Sequence, residues 1–251
     1  MWREVSVFSG EFAMWLDDVV NQGVLSEDAV SYCLRRGCRD ETREVERLFT
    51  WKRLEDVCPD PAFCQKYGRY GERLEGMTVC PVWSPRGHLL GFEGRSILEK
   101  RIMDFRLPLE KWNPFFLGLR GGMPKIWSGG DVWITEGFYD KCALEWAVPE
   151  GDAVLSTVRA GLSKRHVEFL SRFCQGWVHM VYDRDETGRK ATDGWVDEKG
   201  LWIKGALERL REAGLRCRDV YYTGVKDPGV LWDQGGARLV RSVFARGGCD
   251  V

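Results

Sequence analysis

Residues 132–147 read VWITEGFYDKCALEWA. Val132 to Thr135 make an apolar run of strand length, Glu136 closes it and Gly137 permits a tight turn. Asp140 then falls in the opening turn of a helix, where the helix dipole favours a negative charge. The pattern continues downstream as DAVLST (152–157), SKRHVEFLSRF (163–173), WVHMVYD (177–183), a helix within WIKGALERLREAG (202–214) and CRDVYY (217–222). Strands apolar on both faces, alternating with helices, predict a parallel sheet covered by helices and hence an α/β fold. Ligands of such sheets bind beyond the carboxyl ends of the strands.

Three strand ends carry acids. Glu136 and Asp140 follow the first, Asp183 and Asp185 the second, and Asp227 the third, in GVKDPG (224–229). Asp183 and Asp185 share a side if the backbone is still extended there. Each motif alone also reads as a helix cap or a solvated turn. Together they are clustered carboxylates that repel one another, and a divalent cation is the simplest relief. Oxygen donors without histidine or thiolate select Mg²⁺ or Mn²⁺, which points to phosphoryl chemistry.

The rest of the composition narrows the field. The chain has 251 residues, 44% hydrophobic and 30% charged, with a formal net charge of -1. No segment approaches ~18 consecutive apolar residues, and MWREVSVFSGEF at the start lacks a signal peptide's apolar core. A cytoplasmic protein without membrane contact is expected. A polyanionic partner must be met by a local basic surface, because the summed field does not attract it. Nine cysteines, an odd number without regular spacing, predict reduced thiols, most of them core residues. Cys33-x4-Cys38 and Cys58-x5-Cys64 depart from zinc-site spacing, and zinc is not expected. The twelve tryptophans are scattered and read as packing residues.

Upstream, residues 11 to 70 read as helical. GEFAMWLDDVVNQG (10–23) places Phe12, Trp15, Val19 and Val20 on one face, and SEDAVSYCLRRG (26–37) opens on a capping Ser26 and closes on Gly37. MTVCPVWSPRGHLLGFEGRSI (77–97) predicts a β-hairpin turning at Ser84–Gly87. Residues 100 to 130, rich in Gly, Pro and basic residues, predict mostly loop.

TEGFYD (135–140) followed by VYDRDETG (181–188) resembles the Toprim domain, with a Glu at one strand end and an Asp-x-Asp at another. That domain is shared by DnaG-type primases, topoisomerases, recombination mediators and some nucleases. CPVWSPRGHLLGFEGRSI (80–97) is similar to the hairpin before the Toprim domain of bacterial and phage primases, including its Gly-Phe-x-Gly-Arg run. GVKDPGVLWDQGG (224–236) resembles their Lys/Arg-Asp-Pro-Asp element, with Gly229 in place of the second aspartate. AVSYCLRRGCRDETREVERL (29–48) resembles their Tyr-Leu-x-x-Arg-Gly segment. The resemblance spans roughly residues 28 to 240 and is to the DnaG-type DNA primase catalytic core.

The resemblance implies a Toprim (Rossmann-like), mostly parallel sheet flanked by helices over 126–251, preceded by a mixed α+β subdomain over 1–125. It implies a phage-like core without the zinc-binding and helicase domains. The implied activity is synthesis of an RNA primer from NTPs on single-stranded DNA, with Mg²⁺ or Mn²⁺ as cofactor. Glu136, Asp183 and Asp185 would be catalytic, and Asp140 and Asp227 would join them as metal ligands. Arg95, Lys100, Arg101 and Lys226 would bind nucleotide or DNA, and a replicative helicase or separate zinc-module protein would be a partner. A Toprim nuclease and a non-catalytic DNA-binding Toprim protein remain as alternatives, and a topoisomerase would need a tyrosine nucleophile on a further domain.

Overall fold

A computed structural model describes residues 19–20, 23–52, 61–62, 64–65, 75–99, 102–106 and 116–244. The helix expected over 10–23 lies outside them except at its end. Helix α1 (Glu27–Arg35) starts where Ser26 Oγ accepts from the Ala29 N–H, and Gly37 follows it at φ +79. After α2 (Asp40–Glu46) the chain enters an antiparallel sheet of β1 (Phe49–Thr50), β2 (Thr78–Trp83), β3 (Leu89–Arg95) and β4 (Ile102–Arg106), paired in that order. The hairpin expected over 77–97 is β2–β3, with Thr78 opposite Arg95. Its turn is held by Ser84 Oγ, which accepts from the N–H of His88 at 3.0 Å, while Gly87 takes φ +80.

The described parts of 100–130 are more regular than the composition suggests. They contain β4 and helix α3 (Leu119–Trp127), despite Gly121, Gly122 and Pro124 inside the helix. Burial of Leu119, Met123 and Ile126 on one face outweighs the poor helix propensity, and Pro124 lacks only its own backbone donor.

The second sheet is the expected parallel one, of the Toprim α/β type. It comprises β5 (Val132–Thr135), β6 (Ala153–Ser156), β7 (Val178–Met180) and β10 (Cys217–Asp219), in spatial order β10-β7-β5-β6. Helices α4 (Phe138–Leu144), α5 (Lys164–Phe173), α6 (Glu186–Asp193), α7 (Ala206–Glu212) and α8 (Pro228–Phe244) follow or link these strands. Side chains alternate across the sheet. Val132, Ile134, Leu155 and Met180 face α3, α5 and α7. Trp133, Val154 and Val181 face Leu144 of α4 and Leu231, Val240 and Phe244 of α8.

A further sequence expectation needs correction. The helix read in 202–214 begins only at Ala206, because Trp202–Lys204 is strand β9, paired with β8 (Gly194–Val196). Asp197 Oδ1 accepts from the N–H groups of Lys199 and Leu201 to make the turn, and Gly194 and Gly205 approach too closely for a side chain at either.

A third cluster joins the halves: Cys33, Cys38, Leu48, Cys80, Val82 and Leu90 pack against Leu117 and the start of α4 at Phe138, Tyr139 and Cys142. The described cysteines are free thiols, and Cys58 lies outside the described residues. Among the described residues, no helix is long and apolar enough to cross a membrane.

Candidate functional site

The strand order reverses at β5. The chain leaves β5 to reach β6 on one side and later returns to β7 on the other, which opens a crevice between the carboxyl ends of β5 and β7. Glu136 follows β5 and Asp183 lies three residues beyond β7. Glu136 Oε1 accepts from the Asp183 N–H at 3.2 Å. Lys226 closes the group from the loop after β10, with its Nζ 2.9 Å from Asp183 Oδ2 and 3.1 Å from Asp185 Oδ2. The two aspartates therefore share the Lys226 ammonium.

Asp140 and Asp227 form an adjoining pair around the first turn of α8. Asp140 Oδ1 accepts from the Gly229 N–H at 3.1 Å, and Asp227 Oδ1 caps the helix by accepting from Val230 N–H at 2.7 Å. A Cβ on Gly229 would stand 2.7 Å from Asp140 Oδ1 and 2.9 Å from an Arg36 Nη. An aspartate at this position would crowd the two charges it was meant to join. The sequence reading missed Arg36, whose only signal was the Arg-Gly pair of the α1 segment. It forms an ion pair with Asp233 at 2.7 Å and its charge favours the ionised form of Asp140. Arg36 and Arg95 lie 5.9 Å and 5.5 Å from the ring centroid of Tyr139, the residue before Asp140. Lys100 and Arg101 lie outside the described residues.

The acids are electrostatically unequal. Burial, then the charges of Asp183 and Asp185, push Glu136 up to about 7. Burial, then Asp227 and Asp183, push Asp140 up to about 8. Burial also raises Asp183 although Lys226 opposes it. Asp185 is lowered, chiefly by the bond it accepts from Gly188 N–H as the cap of α6. The fold thus holds more negative charge than Lys226 and Arg36 neutralise. Among the described residues, no three His, Cys, Asp or Glu side chains converge in a metal-holding group. The donor chemistry nonetheless suits a hard divalent cation: the acids are oxygen donors, and an ammonium already bridges two of them.

These pKa shifts set a sign for stability. A carboxyl raised by folding binds its proton more tightly folded than unfolded, so its contribution is greatest below the ordinary carboxylate range. It is lost as pH rises toward the folded value. Without divalent cations, thermal stability is expected to fall between about pH 5 and about pH 8. Asp140→Asn with Glu136→Gln should flatten that fall in a melting series, and an unchanged slope would contradict it.

Gly188 in α6 lets the helix approach the acids. A Cβ there would collide with the Asp183 carbonyl oxygen and stand 2.8 Å from Glu136 Oε1. Gly188→Ala is expected to cost ~1–3 kcal/mol through overpacking, read by denaturant unfolding.

No family model matches this chain. It is 28% identical over 188 residues to the DNA primase of Aquifex aeolicus (strain VF5), across 72% of this chain and 34% of that protein. It is 30% identical over 128 residues to the DNA primase of Neisseria meningitidis (strain MC58), across 49% of this chain and 21% of that protein. The chain thus spans about a third or less of these relatives. The solved structure of the Aquifex aeolicus primase zinc-binding and RNA polymerase domains matches with a TM-score of 0.68 and 22% identity, over 91% of this chain and 60% of that one. The DnaG primase catalytic domain bound to single-stranded DNA matches with a TM-score of 0.70 and 16% identity, over 93% and 78%.

Proposed function

We propose that this chain, with the Toprim fold of the DnaG-type primase catalytic core and a sequence similar to DNA primases, synthesises RNA primers on single-stranded DNA. The reading is carried by the contacts that link Glu136 to the Asp183 backbone, and Asp183 and Asp185 to Lys226, beside the switch-point crevice. In the reaction, the 3′-hydroxyl of one nucleotide attacks the α-phosphate of the next and pyrophosphate leaves. Glu136, Asp183 and Asp185 would hold Mg²⁺ or Mn²⁺, with Asp140 and Asp227 in support; the bound cation supplies Lewis-acid activation of the hydroxyl and offsets phosphate charge. Glu136, near neutrality in its proton affinity, is suited to exchange a proton with the attacking hydroxyl. Lys226, Arg36 and Arg95 supply positive charge for the triphosphate and template, and Lys100 and Arg101, outside the described residues, would add to it in this reading.

The division into 1–125 and 126–251 is part of the proposal: the first part brings Arg36 and Arg95, the second the acids, and α3 spans the boundary. Single-stranded template, NTPs and a helicase or zinc-module partner are its expected company, in a cytoplasmic setting. The test supplies ribonucleotides, a single-stranded template and Mg²⁺ or Mn²⁺, and looks for template-dependent primers. Template cleavage without synthesis would favour a nuclease, and DNA binding alone a non-catalytic Toprim protein.

A further inference from the structure

Beyond the acid crevice, a cavity of about 450 Å³ lies between the 160–163 loop, the first turns of α6, the N-terminus of α7 and the β8–β9 hairpin. Its lining includes Lys190, Lys204 and Arg209, the hydroxyls of Ser163 and Thr187, and Trp195, and no carboxylate. Three cations without an acid select an anion. The counterions lie outside the lining: Lys190 pairs with Glu186 at 2.6 Å and Lys204 with Glu208 at 3.9 Å and with Glu212. Such exposed pairs are weak and exchangeable for a phosphate.

The hairpin adds a second observation. Val196, Leu201 and Trp202 of the same hairpin are 61%, 60% and 53% exposed, although Trp202 Nε1 donates to Glu208 Oε2 at 2.7 Å. A two-stranded hairpin gains little by presenting such side chains to water, whereas aromatic surface beside positive charge suits bases stacked next to their phosphates. Thr187 in the lining is two residues from Asp185, so a strand seated here runs beside the acid crevice.

We infer that the cavity and hairpin dock single-stranded nucleic acid, with phosphates on Lys190, Lys204 and Arg209 and a base against Trp195. The choice of nucleic acid rests on the primer-synthesis reading; the charge and aromatic chemistry of the surface do not.

The test measures binding of a fluorescently labelled single-stranded oligothymidylate to the full chain by anisotropy, across a salt series. Trp195→Ala is expected to weaken binding ~5-fold or more, with Trp195→Phe restoring most of it. Lys190→Ala with Lys204→Ala should weaken it further and shallow the salt dependence by ~1.4 in the log–log slope, for two phosphate contacts. Melting curves establish that the variants are folded, and the Lys190→Ala, Lys204→Ala variant carries the test if Trp195→Ala is not. Affinities of these alanine variants within twofold of the parent overturn the inference, as does equal competition by inorganic phosphate or a mononucleotide, which would make the cavity a small-anion site. If the parent makes no primers but the hairpin variants still lose binding, the primer reading fails and this one stands. If primers form and binding is indifferent to the hairpin, the reverse holds.

Discussion

Asp183→Asn is expected to lower primer synthesis at least ~100-fold while leaving the melting temperature of the cation-free chain close to that of the parent. Asp183 is the acid common to both halves of the site: its charge raises Glu136 and Asp140, and its carboxylate holds Lys226. The amide keeps the shape and removes the charge. Glu136→Gln should lose a comparable factor with a change in pH profile, because it is the acid poised near neutrality. Primer yield unchanged in both variants would sink the assignment of the crevice as the reaction site.

Lys141→Met is expected to be the most destabilising single change. The Lys141 side chain is 2% exposed, with its Nζ 2.6 Å from Glu145 Oε1. Burial opposes its charge, yet the carboxylate of Glu145 raises its pKa, while burial raises that of Glu46 nearby. Thr42 Oγ1 donates to Glu145 and the Gly121 N–H donates to Glu46, so neither acid turns easily to water. Gly118 makes room, since a Cβ there would collide with the lysine stem. Removing one partner of such a buried pair costs ~3–5 kcal/mol, a fall of roughly 6–20 °C in this size range. Adding Glu145→Met should recover a good part of the loss. A single variant that melts like the parent would show that water reaches the pair.

The parallel sheet was legible because β5, β6 and β7 are mostly apolar on both faces and alternate with helical stretches. The position of the acids beyond the strand ends was legible for the same reason, and the two-residue spacing placed Asp183 and Asp185 on one side, where both reach Lys226. Lys226 as their common partner was not legible, because its side chain reaches back from a different strand end. Arg36 was hidden more deeply, since only the packing of α1 against α4 and α8 brings it to Asp140. Helix α3 and the β8–β9 hairpin were misread from local composition. In α3 tertiary burial overrode glycine and proline, and in the hairpin a run containing Gly205 looked helical from its far end alone.

The seam between α1 and α8 sets an order of assembly. Arg36 reaches Asp233 across 197 positions of chain, the Arg35 carbonyl accepts from Trp232 Nε1, and Gly37 lies under the Trp232 ring. A nascent chain still short of residue 233 has its strands and most of its acids but not this clasp. During synthesis, Arg36 therefore gains its carboxylate partner Asp233 only once α8 has left the ribosome.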